Sequence, residues 1–208
     1  MSDALELPSV KSHVNPGLTP TMLNHAAWVT HDVAATYDFY TRVMGMEIAS
    51  TVIDDKVPST GDAVPYFHIF FKMKDGSTLA FFEAPGLPPP AKSTHPAYDI
   101  FTHIALEVSS REDVLKWYDW LKKNGLDIVG PTDHGIIYSI YFHDPNGVRL
   151  EITTPLDKEW NNHSAVARED FKLWVDAKEK AKSEGRDVTQ ALVKLALDRR
   201  EQRNAAAR

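Results

Sequence analysis

Three side chains in this sequence are of types that could grip one divalent cation: His25 in "MLNHAAWVT", His103 in "FTHIALEVSS" and Glu151 in "GVRLEITTP". Along Phe101–Val108 the two-residue period of a strand puts Thr102, Ile104, Leu106 and Val108 on one side and Phe101, His103, Ala105 and Glu107 on the other. In the last of these stretches Leu150 and Ile152 share the apolar side, which leaves Arg149, Glu151 and Thr153 facing the other way. His103 and Glu151 therefore meet on one surface. Cysteine is absent, so any metal must be held by nitrogen and oxygen donors. Two imidazoles and one carboxylate form the ligand set that holds Fe(II) and leaves several coordination positions open. A single histidine is more often a satisfied core or surface residue. A buried glutamate ordinarily has an arginine partner, and Arg149 looks too near in sequence and too exposed to serve. Three such residues at matching positions of a repeat are what point to a metal.

The elements that must position them come in two similar series. Met22–Thr30 reads as a strand, and "HDVAATYDFYTRVMGM" as an amphipathic helix with Asp32 at its N-cap. That helix carries a stripe of Val33, Tyr37, Tyr40 and Met44 and ends at Gly45. "EIASTVID", "PYFHIFFKM" and "STLAFFEAP" read as strands, the last two joined by Lys74-Asp75-Gly76. The pattern then recurs: strand Phe101–Ser110, a helix capped by Ser110 with Asp113 and stopped by Gly125, and strands "LDIVG", "IIYSIYFHD" and "GVRLEITTP". Laying one series on the other places His25 on His103. The expected fold is α+β, two βαβββ modules forming a curved mixed sheet around a metal cleft, plus C-terminal helices. The division runs 1–20, an N-terminal arm; 21–85, the first module; 86–100, a linker; 101–155, the second module; 156–208, a helical extension. Three consecutive prolines and His95-Pro96 make the linker extended, non-helical and suited to act as a lid. In the extension, Phe171, Leu173 and Trp174, and then Val188, Leu192, Leu195 and Leu197, form apolar stripes for packing on the barrel or on a partner subunit.

Composition limits the alternatives. Hydrophobic residues at 43% and charged residues at 25% fit a soluble globular chain, and no apolar run approaches a bilayer's thickness. The net charge of -6 argues against nucleic acid as a partner. The opening "MSDALELPSVKSHVNPGLTP" is acidic and lacks a basic start followed by an apolar block, so the expected location is cytoplasmic.

From Thr21 to Pro155 the chain resembles the vicinal oxygen chelate superfamily. Within it, "TDHGIIYSIYFHDPNGVRLE" resembles the signature of type I extradiol ring-cleaving dioxygenases, matching at Thr132, His134, Ile140, Tyr141, Asp144, Pro145, Gly147 and Glu151. The resemblance implies that His25, His103 and Glu151 hold Fe(2+), that a small aromatic diol and O2 are the substrates, and that Tyr141 and His134 donate hydrogen bonds to substrate and oxygen. Members of the superfamily often pair as homodimers or larger homo-oligomers. The family's further acid/base histidine, about fifteen residues before the second ligand, falls here on Pro88, and His95 is the nearest substitute. Glu83 lies near the place where glyoxalase-like members supply a fourth ligand. Its alternation with Leu79 and Phe81 favours a noncoordinating role. With a fourth ligand the chain would be a metal-dependent isomerase or lyase using Mn(2+), Ni(2+) or Zn(2+). A binding protein for small aromatic compounds is the remaining reading.

Overall fold

Alternation from His25 onward builds β1 (His25–Val29), with Ala26 and Trp28 packed on the core and His25, Ala27 and Val29 on the open face. The computed structural model describes residues 17–89, 91 and 93–206, so the expected N-terminal arm falls outside the described residues as far as position 16. Asp32 caps α1 (Val33–Asp38), its Oδ1 accepting from the Ala35 amide at 2.9 Å. A π-helical turn over Phe39–Val43 continues the helix, and Gly45, at φ 68°, closes it. The wider turn shifts the phase of the helix face. Thr36, Phe39, Tyr40, Val43 and Met44 become the buried set, and Tyr37, expected in the apolar stripe, is 46% exposed. Strands β2 (Glu47–Asp54), β3 (Tyr66–Lys72) and β4 (Thr78–Glu83) complete a sheet in the order β1-β4-β3-β2, with β1 parallel to β4 and the other pairs antiparallel.

The linker is not wholly extended. Pro96 starts a short helix, α2 (Pro96–Phe101), at a position where its missing N–H costs nothing, and His95 is the cap. Phe101 therefore ends a helix instead of opening a strand. The second module runs through β5 (Ile104–Glu107), α3 (Arg111–Lys123), β6 (Val129–Asp133), β7 (Ile137–His143) and β8 (Arg149–Pro155), in the sheet order β5-β8-β7-β6. Ser110 caps α3 by accepting from the Asp113 amide at 3.2 Å, as its spacing predicts. The strand expected over "LDIVG" begins later, at Val129, and extends through Thr132 and Asp133.

The α+β class and the two-module layout are those expected, and the duplication is visible in the strand registers. Ala27 pairs with Ala80 in the first sheet and Ala105 with Glu151 in the second, so His25 and His103 are equivalent. Phe70 opposite Ala80 corresponds to Tyr141 opposite Glu151. Each chain nevertheless contains two separate four-stranded sheets rather than one continuous curved sheet. The reason lies in where the modules touch. Phe39, Tyr40, Phe71 and Phe81 of the first module and Leu106, Val114, Ile140, Leu150 and Ile152 of the second belong to one core. Polar bonds link the modules across it: Tyr40 Oη donates to Asp144 Oδ2 at 3.0 Å in the interior, and, partly buried, Asn146 Nδ2 donates to Thr36 Oγ1 at 3.1 Å and Trp120 Nε1 to the Val43 carbonyl at 2.8 Å. The helix-bearing sides are thus committed to each other, and the opposite face of each sheet lies outside that core.

Residues 158–206 belong to a separate unit, and their helices α4 (Ser164–Ser183) and α5 (Val188–Ala206) flank Gly185 and pack together. Phe171, Leu173 and Trp174 of α4 are exposed. Among the described residues, no helix is long and apolar enough to cross a membrane.

Candidate metal centre

The open face of the second sheet carries a connected row of polar side chains. The Asp144–Val148 connection between β7 and β8 is tied by Asp144 Oδ1, which accepts from the Asn146 and Val148 amides at 2.8 Å each. That turn sets His143 opposite Arg149 and thereby Tyr141 opposite Glu151. Glu151 is buried, yet both carboxylate oxygens are occupied. Oε2 lies 2.9 Å from His103 Nε2, and Oε1 accepts from Tyr141 Oη at 3.1 Å. His134 Nε2 is 2.9 Å from the same hydroxyl. Because Tyr141 gives its proton to Glu151, His134 is the donor to Tyr141. Burial pushes the Tyr141 phenol above its ordinary pKa, with the Glu151 charge and hydrogen bond adding to the shift, so it remains a protonated donor. The ring is held by the Arg149 guanidinium, 4.7 Å from its centroid.

The first sheet presents a different face. His25 Nδ1 donates to Asn24 Oδ1 at 2.7 Å, which leaves Nε2 with a free lone pair. Its ring stands edge-on to Phe70, 5.5 Å away, and 6.2 Å from His68. His68 stacks on Phe82 at 3.5 Å and 19°. It is pushed below its ordinary pKa, first by burial and then by the neighbouring His25, so it is a neutral imidazole.

A model of the family described as "Glyoxalase/Bleomycin resistance protein/Dioxygenase superfamily" matches residues 22–152. The chain belongs to that superfamily. It is 29% identical over 154 residues to a metapyrocatechase from Pseudomonas sp. (strain CF600), covering 72% of this chain and 44% of that protein. It is 30% identical over 134 residues to metallothiol transferase FosB from Staphylococcus epidermidis, covering 64% of this chain and 82% of the relative. The chain thus spans less than half of the metapyrocatechase's length. A crystal structure of a glyoxalase/dioxygenase from Nostoc punctiforme superposes with a TM-score of 0.51 at 25% identity, over 72% of this chain and all of that one.

Against the superfamily's divalent-metal chemistry, the donors of the second module fit two neighbouring positions. Ligands about 2.1 Å from an ion at right angles lie roughly 3 Å apart, and the His103 Nε2 to Glu151 Oε2 separation is 2.9 Å. Within one chain, no group of three or more His, Asp or Glu residues assembles among the described residues, so His25 does not join His103 and Glu151. His95 is also not brought to them: its Nδ1 accepts from the Ala97 amide at 3.1 Å as the cap of α2. Glu83 lies on the helix side with Leu79 and Phe81, opposite Phe67. The position equivalent to Glu151 in the first module is Ala80, which has no donor to offer.

His68, which shares the parity of Tyr66 and Phe70, stands on the open face with Phe70 and could line the cleft. Arg149 is less exposed than its sequence context suggests. The side chain is 11% exposed, and its carboxylate neighbour is Asp99, 3.8 Å away, not Glu151. Among the strand aromatics, Phe70 and Phe82 are on the open face, whereas Phe67, Tyr138 and Phe142 belong to the core side.

Proposed function

We propose that the protein is a non-haem iron(II) dioxygenase that opens a catecholic ring beside its hydroxyls, with a metal centre completed across two copies of the chain. One copy supplies His103 and Glu151 and the other supplies His25. The observation that carries the dioxygenase reading is the unbroken row His134, Tyr141, Glu151, His103, with contacts of 2.9, 3.1 and 2.9 Å. It joins the signature's polar residues to the two donors. Iron(II) bound there supplies a site at which an aromatic diol and dioxygen can be held side by side. The chain's own part is to orient Glu151 through two hydrogen bonds, to keep a phenolic proton at Tyr141 Oη, and to replenish that position from His134. The aromatic wall of His68, Phe70 and Phe82 is a surface on which a flat ring can stack.

Completion by a second copy is supported by the geometry of one chain. The donors are split between two sheet faces that lie outside the shared core, and the sides that could bring them together are already packed as that core. A two-fold dimer that sets the first module of each chain against the second module of the other would close two equal sites.

A second reading, metal-dependent transfer of a thiol, is favoured by the greater share of FosB that the chain covers, 82% against 44% of the metapyrocatechase. Protein purified without air and loaded with iron(II) should consume oxygen when given catechols, and Tyr141→Phe should lower kcat by about 10² or more while changing KM little. Turnover of a thiol and an electrophile by the manganese-loaded protein, with no oxygen uptake from any diol, rejects the dioxygenase reading.

A further inference from the structure

We propose that the cleft between the two modules binds an organic carboxylate with an apolar body, anchored by Arg149. This goes beyond the metal-centre reading and does not require it. The cleft has a volume of about 630 Å³, in the range of pockets that enclose small ligands. Trp28 and Val29 from the first module face Ile104 and Val148 from the second across it, and Tyr98 of α2 lies alongside. These walls are apolar and aromatic. Arg149 is the one arginine or lysine among the described residues lining this space, which His31, His103 and Asp99 also border.

The state of that arginine makes the case. Its side chain is 11% exposed, and its Nε is buried without a hydrogen-bond partner among the described residues. Asp99 Oδ2, at 3.8 Å from Nη1, is beyond hydrogen-bond range, and Asp99 Oδ1 is already engaged by His143 Nε2 at 2.9 Å. Packing over Tyr141 compensates the charge only in part. A nearly buried guanidinium with an unfilled Nε donor is costly, and a carboxylate meets its planar fork with two parallel hydrogen bonds. A neutral ligand of the same shape cannot do this. Asp99, on the short exposed helix α2, is the competitor that such a ligand displaces.

The test uses the full-length, metal-free protein, so that its outcome is separate from that of the metal centre. Calorimetric titration compares naphthalene-2-carboxylate with naphthalene-2-carboxamide, which share the hydrocarbon and differ in charge. The carboxylate should bind at least about tenfold more tightly. Arg149→Met should abolish that preference, and Asp99→Asn should strengthen carboxylate binding several-fold. Asp99 is half exposed, so the second variant remains informative even if loss of Arg149 impairs folding. Equal affinity for acid and amide, no binding of either at millimolar concentration, or carboxylate binding that Asp99→Asn leaves unchanged overturns the proposal.

Discussion

Splitting the proposed donors between two chains makes a quantitative prediction about mixtures of inactive variants. His25→Ala removes an exposed ring from the first module, and Glu151→Gln removes the anionic donor of the second. Neither homodimer holds a complete site. In a heterodimer the Glu151→Gln chain lends its intact His25 to the intact His103 and Glu151 of the His25→Ala chain, and one of the two sites is whole. Random exchange makes about half of the dimers mixed, so about a quarter of the wild-type number of complete sites should return. The assay is to unfold and refold equimolar variants together, load iron(II) without air, and measure bound metal and oxygen uptake beside each variant alone. Both readouts should rise to about one quarter in the mixture. A mixture no better than its components refutes a site shared between chains. A wild-type protein that sediments as a monomer at concentrations giving full activity refutes it as well, and His25→Ala retaining full metal removes His25 from the ligand set.

Three further outcomes follow from the packing. Tyr40→Phe deletes the buried hydroxyl that donates to Asp144 across the modules, and urea unfolding should show a loss of roughly 1.5–3 kcal/mol; a change within about 0.5 kcal/mol would mean the bond contributes nothing net. Burial raises the Asp144 carboxyl above its ordinary pKa despite hydrogen bonds from Asn146, Val148 and Tyr40 that pull it down. The native state therefore holds that proton more tightly than the unfolded chain. The associated stability is present below the ordinary carboxylate range and is lost as pH rises through the raised value. Wild-type stability measured relative to Asp144→Asn should fall as pH rises above the ordinary carboxylate range, and a constant or rising difference contradicts the assignment. Gly130, at φ 108°, would place a Cβ 2.8 Å from the Ser139 carbonyl oxygen, so Gly130→Ala should cost about 1–3 kcal/mol and lower the melting temperature by several degrees; unchanged melting would show that β6 can shift to accommodate it.

What could be read from the sequence was whatever depends on parity and caps. Strand alternation placed His103 and Glu151 on one face, and Asp32 and Ser110 start their helices as local hydrogen bonding requires. The pairing of Tyr141 with Glu151 was not legible, because two side-chain-to-backbone bonds from Asp144 fix the length of the turn. Tyr37 was misplaced because no residue type announces a π turn. The separation of His25 from His103 was also hidden. It depends on Tyr40 meeting Asp144 and on Trp120 meeting the Val43 carbonyl, contacts 104 and 77 residues apart in the chain that no periodicity marks.

The two halves of the duplication have diverged in a way that bears on the proposed assembly. Where the second module has Arg149, Glu151, Ser139 and Tyr141, the first has Thr78, Ala80, His68 and Phe70. Joining two first modules would gather imidazoles and aromatic rings with no carboxylate to neutralise a cation. Joining two second modules would crowd two buried glutamates, and like charges at close range in a poorly solvated site repel strongly. Pairing unlike modules alone gives two imidazoles, one carboxylate and a neutral aromatic wall around one ion. The loss of a donor at Ala80 thus has a physical consequence beyond reducing the ligand count. It makes the first-module face suited to receive a flat ring beside the metal, and it disfavours both pairings of like with like.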